Sequence, residues 1–200
     1  MTHADQTVFF WINGLAGHVA WIDSVIRILS CDLFLPVVTI IALTAVWFSG
    51  RNIADRTRNQ YGVMCSLASM GIANLLVFIS NSISPDRLRP FEAFGVFPQG
   101  KVHLIFYAPT DPSFPSNAAA ASFAFAMGMW VYNRNLGYIL SIPALIISFG
   151  RVYMGVHYPL DILGGFILAI MATGIVAAVM KLGKPILDRL LKLMRKVYLS

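Results

Sequence analysis

The sequence predicts an all-α fold, a polytopic helical membrane bundle of about five to six transmembrane helices with amphipathic interfacial helices at its N- and C-terminal ends. Three observations predict it. The 200 residues are 58% hydrophobic and 12% charged, with a mean hydropathy of +0.71, against an apolar share of about 45–50% in water-soluble domains. Apolar runs recur at close to the ~20 residues a helix needs to cross a bilayer. The two ends of the chain instead mix apolar and charged residues at helical spacing. Little chain is left over, so residues 1–200 read as a single integral-membrane domain without a soluble catalytic module.

At the amino-terminal end, Met1 to Gln6 lacks Lys and Arg, and the apolar stretch after it contains Asn13, His18, Asp23 and Arg27, which argues against a cleaved signal. Thr7 to Ser30 reads as helices lying in or dipping into the membrane surface, with Trp11 and Trp21 as interfacial aromatics. Five apolar runs follow, at Leu33 to Phe48, Tyr61 to Ser80, Asn117 to Tyr132, Leu136 to Phe149 and Pro159 to Met180. Small residues at Ala118 to Ala121, Gly128, Gly164, Gly165 and Gly174 would let these helices approach closely. The tail interleaves Lys and Arg with Ile186, Leu187, Leu190, Leu191 and Met194, consistent with an amphipathic helix on an anionic leaflet or with a solvated charged face.

Charge sets the orientation. Arg51, Arg56 and Arg58 lie in one connection, Arg134 in a short turn, and six Lys or Arg in the tail, so these three segments are expected in the cytoplasm. Alternation then puts the amino terminus, the loop Asn81 to Ser116 and the loop Gly150 to Tyr158 together on the opposite side. The fifteen basic residues against nine acidic ones thus follow topology, with no single solvated basic face for nucleic acid. Cys31 and Cys65 are too few for a disulfide framework or a zinc site and belong near opposite faces of the bilayer. No feature specifies an oligomeric state.

Chemistry crowds into the two extracytoplasmic loops. In the second, Arg151, His157 and Asp161 stand at the mouth of an apolar helix, where an uncompensated charge is costly. Pro159 belongs in a first helical turn, which puts His157 just before the last long helix and Asp161 on its opening turn. A carboxylate there could accept the second N–H of the imidazole and raise the basicity of the free nitrogen, as a histidine nucleophile requires. In the first loop, Ser116 is a good N-cap, and the helix start beyond it offers free backbone N–H groups to an anion. Arg89, held extended by Pro90, adds a guanidinium fork suited to phosphoryl oxygens, and Arg87 lies two residues earlier. Together, Arg89, Arg151, Ser116 and the helix end form an oxyanion cradle beside His157.

These residues resemble the type-2 phosphatidic acid phosphatase superfamily of membrane lipid phosphatases. Its signature combines a lysine ahead of Arg-Pro, then Pro-Ser-Gly-His, then Ser-Arg, five residues, His, three residues and Asp. Arg151, His157 and Asp161 match the third part, with Gly150 for its serine; Pro115 and Ser116 match the second; Arg89 and Pro90 match the first. The resemblance extends over the whole chain in loop and helix order. It implies that His157 forms a phosphohistidine, that Asp161 orients it, and that Arg89, Arg151 and Ser116 hold the phosphate, with no metal and no cofactor.

Three departures bear on activity. Ser82 stands where the family has lysine, and Arg87 could supply that cation from nearby. Asn117 replaces the motif glycine, similar to undecaprenyl pyrophosphate phosphatases of the bacitracin-resistance type, which also favour Arg-x-Arg-Pro-Phe. Ala118 stands where the family places the histidine that protonates the leaving oxygen. General acid help is commonly worth about 10²–10⁴-fold, so turnover is expected to be poor. Ala118 reads either as natural degeneracy or as replacement of a histidine in an active phosphatase. Retention of every other costly charge favours the replacement.

The resemblance implies that a polyprenyl or phospholipid phosphate is the substrate and membrane lipids are the surroundings. Undecaprenyl pyrophosphate, recycled to the monophosphate carrier for cell-envelope synthesis at a bacterial plasma membrane, leads over phosphatidylglycerophosphate, phosphatidate and lipid A. A lipid-phosphate binding or transport protein is the reading from another class. Arg151, His157 and Asp161 alone would also suit a structural ion-pair cluster, Ser116 a plain helix cap, and Arg87 a headgroup anchor. Hydrolysis by Asp86 and Glu92 as paired acids is disfavoured, because carboxylates repel an anionic substrate. His18 and His103 receive no role.

Overall fold

The computed structural model describes residues 2–31, 33–83, 87–105 and 107–196, and Asp86 lies outside them. Among the described residues the chain forms nine helices and no strand. They are α1 (His3–Asn13), α2 (Ala20–Leu29), α3 (Phe34–Trp47), α4 (Ile53–Ile83), α5 (Pro90–Phe94), α6 (Asn117–Tyr132), α7 (Arg134–Tyr153), α8 (Pro159–Leu182) and α9 (Lys184–Lys196). The chain is thus the all-α membrane bundle that its composition predicts, with α4, α7 and α8 long and apolar enough to cross a bilayer. At 14 and 16 residues, α3 and α6 are shorter than the ~20 expected of a simple span.

The short α6 is the axis of the bundle, packed against α4, α7 and α8. Its alanines and phenylalanines are buried almost all round, as expected of a helix surrounded by others. Small residues bring the backbones together. A Cβ at Gly128 would come within 2.5 Å of the Ser66 backbone on α4, and one at Gly165 within 2.6 Å of the Ser116 carbonyl. Gly174 differs from expectation: it faces open space and joins no helix pair.

The connection 50–60, expected as a loop, is helical from Ile53. Asn52 accepts the Asp55 backbone N–H at 2.8 Å, and Arg58 pairs with Asp55 at 3.1 Å, so capping and an i,i+3 pair start the helix early. The 31-residue α4 extends ~46 Å at 1.5 Å per residue, more than a ~30 Å hydrocarbon core, so its basic first turns reach beyond it.

That end of α4 also receives the tail. Tyr61 donates to Asp188 at 2.6 Å, Arg195 donates to Thr57 at 2.6 Å, and Leu191 is buried against Tyr61, Cys65, Val176 and Met180. The face of α9 containing Leu187, Leu191 and Met194 therefore covers α4 and α8, while Ile186, Leu190 and Leu193 stay exposed. Neither expected reading of the tail, leaflet helix or solvated face, included this docking.

At the opposite end, α1 and α2 cap the bundle. Phe9 and Ala16 are buried against α7 and the start of α8, while Trp11 and Trp21 are 72% and 70% exposed. Asn13 fastens α1: its amide donates to the carbonyls of His103 and Tyr153 at 2.9 and 2.8 Å and accepts the His103 N–H at 2.9 Å.

Candidate active site

Three local devices aim the site residues at one point. Arg89 is extended (φ −70°, ψ 156°) ahead of Pro90, and its backbone N–H donates to Glu92 at 2.7 Å, starting α5. Ser116 caps α6 by accepting the Ala119 N–H at 3.4 Å, and its own N–H donates to the Asp161 carbonyl at 3.0 Å, which joins the heads of α6 and α8. The Arg151 carbonyl receives the backbone N–H groups of Val156 and His157, folding the loop from α7 back over its own end. Gly155 adopts φ +82° in this turn, a conformation that L side chains resist.

The result is a cavity of about 440 Å³ lined at its head by Arg89, Arg151, His157, Asn117 and Ala118. The backbone N–H groups of Asn117 and Ala118 belong to a first helical turn, which supplies no internal acceptor for them. Below, the cavity passes between α3, α4, α6 and α7 to Thr39, Asn74 and Ile147. The Thr39 hydroxyl is buried there without a hydrogen-bond partner. Among the described residues, no group of three or more His, Cys, Asp or Glu gathers at a metal-binding spacing.

His157 is 4% exposed, and Arg89 Nη1 lies 3.3 Å from its Nε2. The other ring nitrogen, Nδ1, is 2.9 Å from the Ser113 carbonyl, which can only accept, so Nδ1 carries the proton and Nε2 keeps its lone pair toward the cavity. Burial pushes the imidazole below its ordinary pKa, opposed by Asp161 and reinforced by Arg89 and Arg151. A neutral ring with an unprotonated Nε2 is the nucleophilic form.

Asp161 differs from the expected geometry. Its Oδ2 is 3.6 Å from Nδ1, beyond hydrogen-bond distance. It instead accepts from the Ser113 hydroxyl at 2.6 Å and the Tyr158 N–H at 2.8 Å, while Oδ1 accepts from Arg87 at 2.6 Å. The carboxylate caps its own helix and holds Ser113, whose carbonyl holds His157. Arg87 also differs from expectation. Its two terminal nitrogens face Asp161 and Asp5, and its guanidinium stacks 4.5 Å above the Tyr158 ring, so it neither lines the cavity nor replaces the family's lysine. Ser82, at that lysine's position, donates into its own helix at Phe78.

The structure thus brings Arg89, Arg151, His157, Asn117 and Ala118 to the cavity and leaves Ser116, Asp161 and Arg87 behind its wall. Three polar contributors went unread in the sequence. Ser113 is fully buried between His157 and Asp161. Asp111, 58% exposed at the rim, pairs with Arg89 Nη2 at 2.9 Å. Asp5 is buried at the head of α8, accepting the Leu160 N–H at 3.0 Å. Of these, Ser113 had a signal in its place one residue before Phe114-Pro115-Ser116; Asp5 and Asp111 had none.

Known proteins are similar to this chain in sequence and in fold. A family model described as the PAP2 superfamily matches residues 62–183. Undecaprenyl-diphosphatase BcrC of Bacillus subtilis (strain 168) is 30% identical over 168 residues, covering 82% of this chain and 78% of its own. The putative undecaprenyl-diphosphatase YbjG of Escherichia coli (strain K12) is 27% identical over 171 residues, covering 84% and 78%. The crystal structure of Aquifex aeolicus LpxE has a similar fold, with a TM-score of 0.62, 23% identity, and coverage of 88% of this chain and 96% of that one.

Proposed function

The chain belongs to the PAP2 superfamily of lipid phosphatases, and from that premise we propose that it is built to hydrolyse a membrane lipid diphosphate through a phosphohistidine on His157. The meeting of Arg89, from the segment before α5, and Arg151, from the last turn of α7, at the cavity that holds His157, with Arg89 Nη1 3.3 Å from the unprotonated Nε2, carries this reading. Two guanidiniums and the α6 N-terminus can neutralise the equatorial oxygens of a transferring phosphoryl group. Nε2 forms the P–N bond to the terminal phosphorus as the bond from that phosphorus to the bridging oxygen breaks and the lipid monophosphate departs, and Nδ1–H stays on the Ser113 carbonyl, so the charge gained by the ring is fixed in one orientation. Water then attacks phosphorus, the P–N bond breaks, and inorganic phosphate leaves.

Position 118 is where a general acid would protonate the departing oxygen and later activate the water. Ala118 lines the cavity at that point and offers no proton, so this chain turns over slowly. The names of the most similar relatives support undecaprenyl diphosphate as the substrate. The lower cavity supports a polar leaving group, since Asn74 and Thr39 line it between apolar helices. The gathering of Arg58, Arg134 and the α9 cations away from the site supports an extracytoplasmic active site in a bacterial plasma membrane, the whole chain acting as one domain.

A second reading rests on Ala118 itself. A lipid-phosphate binding protein would keep Arg89 and Arg151 while needing no acid. Phosphate release by Ala118→His from undecaprenyl diphosphate, phosphatidylglycerophosphate and phosphatidate tests both. Preferential hydrolysis of the diphosphate is expected. Inactivity on all three, with lipid binding retained, would overturn the enzyme reading in favour of the second.

A further inference from the structure

Resting on the proposed role of His157, we propose that Asp5, on the amino-terminal helix α1, is a positioning residue that acts through Arg87 to hold Asp161, Ser113 and the nucleophile in register. Asp5 is 4% exposed although it lies near the start of an otherwise interfacial helix. Its two oxygens do different work. Oδ1 accepts the Leu160 N–H in the first turn of α8, and Oδ2 pairs with Arg87 Nη2. The other terminal nitrogen of Arg87 donates to Asp161 Oδ1, and the Arg87 carbonyl accepts the Ser113 N–H at 3.0 Å.

The chain of contacts is continuous from α1 to the imidazole. Asp5 fixes the guanidinium, which is also seated on the Tyr158 ring. The guanidinium fixes Asp161, Asp161 fixes the Ser113 hydroxyl, and the Ser113 carbonyl fixes Nδ1. Arginine is required for this by its shape, since a planar fork reaches two carboxylates at once and an ammonium serves as a point charge. Electrostatics requires Asp5 as well. Asp161 is fully buried, and Arg87 is its cation, but His157 already faces Arg89 and Arg151, with Asp161 the acidic group that offsets them among the described residues. Were Arg87 unheld by Asp5, it would be free to turn outward, leaving Asp161 uncompensated and the Ser113 carbonyl no longer held against Nδ1. The amphipathic α1 is therefore a functional part of the site as well as a cover for it.

The test uses full-length protein in two measurements. In the Ala118→His background, Asp5→Asn, which keeps an acceptor for Leu160 while losing the charge, is expected to lower kcat about tenfold with KM within twofold. Arg87→Gln is expected to lower kcat by about a hundredfold, the range in which small misplacements act. Because Asp5 acts through Arg87, the double variant should lose no more than Arg87→Gln alone. Should Arg87→Gln not fold, Arg87→Lys replaces it in the cycle. The second measurement needs no turnover, so it stands even if the phosphatase reading fails. In protein with ¹⁵N-labelled histidine, the parent His157 should show a single Nδ1–H tautomer, and in Asp5→Asn the Nδ1 and Nε2 shifts should converge as tautomers mix. Additive kcat losses, or an unchanged imidazole signature in Asp5→Asn and the Arg87 variant, would overturn the proposal.

Discussion

Replacing Ala118 with histidine should restore the missing proton transfer, by an amount that depends on the leaving group. Ala118 lines the head of a cavity of about 440 Å³ together with His157, Arg89 and Arg151, so an imidazole there meets open volume as well as the reacting oxygen. General acid catalysis contributes about 10²–10⁴-fold, or roughly 3–5 kcal/mol of barrier at 1.36 kcal/mol per decade. A diphosphate expels a phosphate monoester, whose second pKa is about 6. A monophosphate ester expels an alkoxide, which needs the proton far more. The gain in kcat should therefore sit near the lower end of that range for undecaprenyl diphosphate and near the upper end for a monophosphate such as phosphatidate. Phosphate release in detergent micelles measures both, with Ala118→Gln as the control for size without proton transfer. Equal rates for the histidine and glutamine variants on both substrates would refute the assignment of position 118.

Four further outcomes follow from the structure. Burial lowers the His157 pKa, so the nucleophile stays neutral below the ordinary histidine value of about 6.5; the acid limb of kcat/KM for Ala118→His should fall below pH 6.5. The same shift makes the unfolded chain take up the proton first, so the contribution of His157 to stability is complete above about pH 6.5 and is lost as pH falls through the lowered folded-state pKa, which acid unfolding of the parent and His157→Gln would register. Asp111 occupies Arg89 from an exposed rim position; Asp111→Asn should tighten inhibition by inorganic phosphate about 2- to 5-fold, the worth of an exposed pair, and an unchanged inhibition constant would contradict competition at Arg89. Gly165→Ala would press a methyl to within 2.6 Å of the Ser116 carbonyl and 2.9 Å of the Ala120 nitrogen, a backbone clash worth about 1–3 kcal/mol, and should lower the thermal midpoint, whereas Gly174→Ala should not.

Much of the scaffold was legible because the bilayer imposes a length and a polarity on each span. Long apolar runs located the bodies of the helices, Pro159 the start of α8, and Pro90 the exit of Arg89. The motif spacing located Arg151 at the end of α7, His157 in the turn after it and Asp161 in the first turn of α8. Spacing sets where a Cα lies and leaves the direction of a long side chain open, and there the reading failed. Arg87 and Arg89 are two residues apart in one extended segment, yet one faces the cavity and the other faces the carboxylates behind it. Asp161 lies four residues from His157, but the Tyr158 N–H and the Ser113 hydroxyl claimed its Oδ2, and Arg87 its Oδ1. Asp5 and Asp111 were illegible for another reason: each meets its arginine only after distant segments have folded together, and neither sits in a local pattern. The docking of α9 likewise depends on Tyr61 and Thr57, more than a hundred residues away.

The most direct test of the nucleophile is to look for the covalent bond. Ala118→His mixed with undecaprenyl diphosphate labelled at its terminal phosphate and quenched within one turnover should carry label on His157, stable in base and lost in acid as a phosphoramidate requires, and His157→Gln in the same background should carry none. Full turnover with no protein-bound label, or label that persists after His157 is replaced, would contradict it.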